Sequence, residues 1–166
     1  MYAARLLAIG LIGGLATACA GVATPTVAPL PVASAPAPVA GYDWFYHVEA
    51  GEARLAYGLE ASDDLRIGLA CAAGAGKLEL SATGPTGARE IHIESGGETE
   101  RFPARAEPSQ LHDGAFLTAE APTATPVFQR FRRVGWLALW QDGKRETYAP
   151  HPASTGDIER FFSFCG

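Results

Sequence analysis

From Gly41 onward, apolar and polar residues alternate over short runs, and turn-forming residues break those runs about every ten positions. Lys77-Leu78-Glu79-Leu80-Ser81 and Glu90-Ile91-His92-Ile93-Glu94 alternate strictly, as strands do when one face is wet and the other dry. Leu65, Ile67, Leu69 and Cys71 fall on the dry side of another such run. Gly74-Ala75-Gly76, Pro85-Thr86-Gly87, Gly96-Gly97 and Asp142-Gly143 stand where hairpin turns belong. The period then changes twice. Thr125 and Pro126 open a helix with Val127, Phe128, Phe131 and Val134 on one face, which Gly135 ends. A second helix begins near Ser154 or Thr155, carries Asp157 and Glu159 where the helix dipole favours negative charge, and turns Ile158, Phe161, Phe162 and Cys165 to one side before Gly166. The pattern predicts one mainly β domain over residues 42–166, an antiparallel β-sandwich or barrel-like sheet with one short helix before Gly135 and a C-terminal helix.

The first part of the chain reads differently. Arg5, an apolar run from Leu6 to Leu15, and the small residues Ala16, Thr17 and Ala18 make up an export signal over residues 1–18. Leu15-Ala16-Thr17-Ala18-Cys19 resembles the lipobox of bacterial lipoproteins, with Ala16 where leucine is commonest and Leu15 one step further out. That resemblance implies an acylated Cys19 and a membrane anchor. The same small residues also fit ordinary signal cleavage, which would release a soluble periplasmic protein. Residues 20–40 contain five prolines and no charged or aromatic residue. Such a composition stays extended, at about 3.1 Å per residue, and spaces a domain from its tether; residues 19–41 are read as attachment site and linker.

Export leads to an oxidising compartment, where Cys71 and Cys165 are expected to pair, the alternative being two buried free thiols. The bridge would fasten the last helix to the sheet. Outside the signal, the chain has twelve basic residues, its 13 Lys and Arg less Arg5, against 18 acidic ones. This mildly acidic balance argues against a nucleic-acid partner.

Motifs for chemistry are few. Gly74-Ala75-Gly76-Lys77 lacks the earlier glycine and the following hydroxyl of a phosphate loop, since Cys71 and Leu78 occupy those places. His47, His92, His112 and His151 are scattered, so the reading includes no metal and no cofactor. His92 belongs to a polar strand face, His112 to a turn with Asp113-Gly114, and His151 to a loop. Asp63-Asp64 reads as a strand start, and no nucleophile motif of the G-x-S-x-G or S-x-x-K kind occurs in the folded part, so no catalytic residue is assigned.

Two features suggest a surface. Arg130, Arg132 and Arg133 share a helix, with Lys144 and Arg145 nearby, and either attract anionic envelope polymers or form a solvated helix face. Trp136-Leu137-Ala138-Leu139-Trp140 is apolar on both faces, so it is either covered on both sides or offers its tryptophans to a ligand. Tyr42, Trp44, Phe45 and Tyr46 form a second aromatic group. The candidate binding surface is Trp136, Trp140, Arg130 and Arg133.

Tyr57-Gly58, Ser62-Asp63-Asp64, Leu69 to Cys71 and the terminal Phe161-Phe162-Ser163-Phe164-Cys165-Gly166 resemble segments of proteobacterial envelope proteins, a likeness that implies a location and no activity. The small disulfide-linked outline is also similar in architecture to periplasmic inhibitors of lysozyme or proteases. The functional expectation is a non-enzymatic binding or accessory module of the envelope, lipid-anchored with its domain in the periplasm and with an envelope protein or glycan as partner. An inhibitor of an envelope-attacking hydrolase is the second reading, and an enzyme without an identifiable site the third.

Intact mass of the protein taken from its membrane fraction tests the tether and the bridge together. Acyl mass on Cys19 and a gain of one hydrogen pair on reduction are expected. An unlipidated chain beginning at Cys19 or Gly21 would contradict the lipid anchor.

Overall fold

The computed structural model describes residues 35–109 and 113–166; the signal, Cys19, most of the linker and His112 lie outside them. Along the chain run β1 (Tyr42–Glu49), β2 (Glu52–Leu59), β3 (Leu65–Ala72), β4 (Lys77–Gly84), β5 (Glu90–Ser95), β6 (Glu98–Pro103), β7 (Arg105–Pro108), β8 (Ala115–Pro122), α1 (Pro126–Val134), β9 (Leu137–Gln141), β10 (Lys144–Tyr148) and α2 (Thr155–Cys165). They form a six-stranded sheet, β1-β2-β3-β4-β8-β7, and a four-stranded sheet, β10-β9-β5-β6. All pairings are antiparallel. The fold is therefore mainly β and sandwich-like, with the two expected helices.

Alternation becomes layered packing through register. Trp44, Tyr57, Ile67, Ala82 and Leu117 line up across five strands, and Leu55, Leu69, Leu80 and Ala119 form the next row. Both rows are buried, and Ile91, Ile93, Phe102, Leu137 and Leu139 of the smaller sheet join the same core. Of the early aromatic group only Trp44 is fully in that core; Phe45 stays 37% exposed.

The helices fill the space between. Phe128 of α1 stacks on Phe102 with centroids 5.5 Å apart, and Phe131 packs on Trp44 at 4.9 Å. The hydroxyl of Thr125 donates to the Pro122 carbonyl and makes no cap bond to α1. Val134 leaves the main core for a small cluster with Trp136, Ala138 and Ala149. Helix α2 packs on β1, β2 and β3, while β5 and β6 pack on β8. The sulfurs of Cys71 and Cys165 are bonded, with Cα atoms 5.7 Å apart across 94 residues of sequence.

The Gly74-Ala75-Gly76 turn also serves α2. Gly74 and Gly76 donate their N–H groups to the carbonyls of Phe164 and Cys165, each at 2.9 Å, supplying partners that the end of a helix otherwise lacks. Both glycines hold positive φ, 62° and 65°, as this cradle requires. Asp43 anchors the other end by accepting from the Ser154 hydroxyl at 2.5 Å and the His151 N–H at 3.0 Å.

Two expectations are corrected. Pro85-Thr86-Gly87 is not a hairpin: it carries the chain from β4 in one sheet to β5 in the other. Local alternation shows that each strand is half-buried and is silent on which sheet it joins. Leu65, expected to point inward, is 49% exposed. The β2–β3 register shifts here, from Tyr57 opposite Ile67 to Gly58 opposite Leu65, so Arg66 is the extra residue of a bulge that turns Leu65 outward.

Replacing both Cys71 and Cys165 by alanine is expected to cost roughly 4 kcal/mol, because the bridge closes a loop of 94 residues. Urea unfolding of the double variant against the oxidised parent measures this. An unchanged midpoint would mean that packing alone holds α2.

Candidate functional site

The alternation of β5 sends Ile91 and Ile93 into the core and Glu90, His92 and Glu94 outward. Cross-strand pairing then builds a row that no single segment contains. Arg145 lies opposite Trp140, Trp140 opposite His92, and His92 opposite Arg101, one residue from each strand of the four-stranded sheet. The Trp140 and His92 rings lie 5.9 Å apart and 18° from parallel.

Carboxylates on neighbouring rungs hold this row. Glu94 accepts two bonds from Arg145, at 2.9 and 2.8 Å, and one from the Trp140 indole N–H at 3.0 Å. The Arg145 bonds keep its carboxyl below the usual range, helped by Trp140 and opposed by partial burial. Glu90 pairs with Arg101. Arg145 also lies over the Trp136 ring, 5.2 Å from its centroid.

His92 Nε2 and the Thr99 hydroxyl are hydrogen-bonded at 2.7 Å, and the same hydroxyl lies 3.2 Å from the Ile93 carbonyl. Burial and then the charge of Arg101 hold the imidazole pKa below its ordinary value.

The β5–β9 ladder ends at His92 opposite Trp140. Beyond it, the Gln141 side chain turns away and donates to the Thr83 carbonyl of β4. The strands part, and a groove of about 1080 Å³ opens there. Its lining includes Thr86, Arg89, Glu100, Arg101, Trp140 and Asp142, with the buried side chains of Ile91, Leu117 and Leu139 behind them.

The residues singled out from the sequence separate. Trp140 is partly exposed at the groove, whereas Trp136 is 7% exposed and packs with Val134, Ala138 and Ala149, so it offers no face to a ligand. None of the α1 arginines lines the groove. Arg130 pairs with Glu98 at the β5–β6 hairpin, Arg132 bonds Glu159 of α2, and Arg133 is exposed. Two of the three cations are thus matched within the domain. Cys71 and Cys165 are bonded to each other, and Cys19 lies outside the described residues.

Sequence reasoning left Glu94 and Arg101 unassigned and treated His92 as an ordinary surface residue. The signal was partial: Glu90, His92 and Glu94 visibly share a face, but their partners lie on strands whose register the sequence does not display. Among the described residues, no group of three His, Cys, Asp or Glu side chains is placed to hold a metal ion, and no helix is long and apolar enough to cross a membrane. In comparisons with known proteins, the chain matches no protein-family model, no curated protein and no solved structure.

The depressed pKa of His92 sets the sign of a pH effect. The folded state binds this proton less readily than the unfolded chain, whose value is near 6.5. The contribution of His92 is therefore complete above that pH and is lost as pH falls below it. Unfolding midpoints at pH 7.5 and 5.5 should differ less in His92→Asn than in the parent. Equal differences would show that another group carries the effect.

Proposed function

We propose that this protein is a binding module of the bacterial cell envelope, exported through residues 1–18, tethered by acyl chains on Cys19, and engaging its partner through the groove beside Trp140 and His92. One observation carries the reading. An indole is held by a carboxylate beside a large groove lined by Thr86, Arg89, Glu100, Arg101 and Asp142, a concave surface able to take a small molecule or a chain.

The same contacts support binding over catalysis. Glu94 is occupied by three donors and His92 Nε2 by Thr99, so the groups nearest the groove mouth hold one another in place instead of forming a nucleophile with its base. The spacer between Cys19 and Gly41 lets the domain reach a partner away from the bilayer.

The two tryptophans give opposite expectations. Trp140→Ala should abolish capture of the partner by cross-linking in living cells and shift the melting temperature by no more than a few degrees. Trp136→Ala, which empties a buried site, should cost about 3 kcal/mol or more. Undiminished capture by Trp140→Ala would overturn the assignment of the groove.

A further inference from the structure

We infer that the open edge of β1 is a self-association surface, on which a second copy of this chain adds its own β1 antiparallel and joins two six-stranded sheets into one. The surface is separate from the groove, none of whose lining residues belongs to β1. Four strands end the two sheets: β1 and β7 in the larger, β10 and β6 in the smaller. Such edges pair with other chains unless charge, proline or brevity guards them. β7 has four residues and ends on Pro108, while β6 and β10 each carry three charged residues. β1 is eight residues long, and its run Trp44-Phe45-Tyr46-His47-Val48 has no proline and no Lys, Arg, Asp or Glu.

The backbone of this edge is free where pairing needs it. The N–H groups of Tyr42 and Trp44 donate to the Val39 carbonyl and the Asp43 carboxylate, at 3.1 and 2.8 Å, so the even-numbered residues of β1 turn their backbone away from β2. That alternation puts the N–H and carbonyl groups of Tyr46 and Val48 on the open edge, and among the described residues nothing bonds them there. Val48 is 42% exposed and the His47 side chain 71% exposed, so no described element covers this end of the strand. The two capped N–H groups confine an incoming strand to it.

A second copy fits both the backbone and the side chains of this window. With a two-fold axis at His47, Tyr46 faces Val48 of the copy and Val48 faces its Tyr46, so all the free N–H and carbonyl groups of these residues meet partners and the capped ones stay outside the pairing. The same register lays a Tyr46 ring against an exposed Val48 side chain twice, a favourable aromatic and β-branched cross-strand pair. It also sets no acid opposite an acid. Glu49 faces Phe45 of the copy, Asp43 lies beyond the paired stretch, and the two His47 rings meet with a Glu49 carboxylate beside each, 3.7 Å away within its own chain. A strand already ordered in a folded domain avoids the ordering cost that a flexible peptide would meet for so few bonds.

His47→Cys tests the register, because directly opposed residues of neighbouring antiparallel strands have Cβ atoms about 4.5 to 5.5 Å apart, within reach of a disulfide. The full chain, purified in detergent, is oxidised with diamide and its covalent dimer is quantified. Arg54→Cys is the control: its side chain is also 71% exposed, but it lies on β2, one strand in from the edge. His47→Cys should dimerise at least about tenfold faster than Arg54→Cys. Adding Val48→Pro, which removes an edge N–H that β2 does not use, should slow cross-linking by about tenfold and move the melting temperature by no more than a few degrees. Val48→Lys, which puts a charge on the edge, should do the same and decides the matter if the proline disturbs the strand. Equal cross-linking of His47→Cys and Arg54→Cys, or cross-linking that survives Val48→Lys undiminished, would overturn the inference. So would a His47→Cys chain that, in living cells, links to a different envelope protein and never to a second copy, since the edge would then take a foreign strand.

Discussion

The four-stranded sheet packs on the larger one through β5 and β6 against β8, and the architecture depends on how the inner face of β1, β2 and β3 is kept dry. Trp44, Leu55, Tyr57, Ile67 and Leu69 lie on the inner face of β1, β2 and β3, where α2 packs. A helix of 11 residues is marginal by itself in water and persists by burying one face against its neighbours. Three ties hold it there: the bond between Cys71 and Cys165, the N–H groups of Gly74 and Gly76 on its last carbonyls, and Asp43 on the residues that precede it. The glycine turn thus joins two strands and receives a helix end at once.

Helix α1 links this arrangement to the smaller sheet. Phe131 reaches Trp44 of β1, Phe128 reaches Phe102 of β6 and Phe162 of α2, and Arg132 bonds Glu159 across the two helices. That ion pair is exposed and contributes little to stability for its own sake. It does hold the Glu159 carboxyl down to about 2, so the pair remains charged through ordinary acid conditions. With the inner face of β5, β6 and β9 committed to the core, their outer face is free to carry polar machinery.

On that outer face, geometry counts for more than energy. Half-exposed pairs such as Arg145 with Glu94 add modestly to stability, but together they orient the indole of Trp140 and enclose Trp136. The groove arises where pairing between β5 and β9 stops and Gln141 bonds to β4. A small irregularity in one ladder therefore opens a concave site on an otherwise polar surface.

The sequence by itself determined the local features. Period-two runs marked strands such as β4 and β5, helical spacing marked the buried faces of α1 and α2, and two cysteines on inward positions announced their bond. These follow from burial acting on neighbours in the chain, which a linear pattern records directly. Tertiary structure alone decided what distant strands do to one another. It set Pro85-Thr86-Gly87 as a passage between sheets, turned Leu65 outward through the Arg66 bulge, and sorted Trp136 into the interior and Trp140 onto the surface. Above all it aligned Arg145, Trp140, His92 and Arg101 in one row. Register between β5 and β9 is chosen by how two whole sheets fit around a shared core, and no short stretch of sequence contains that information.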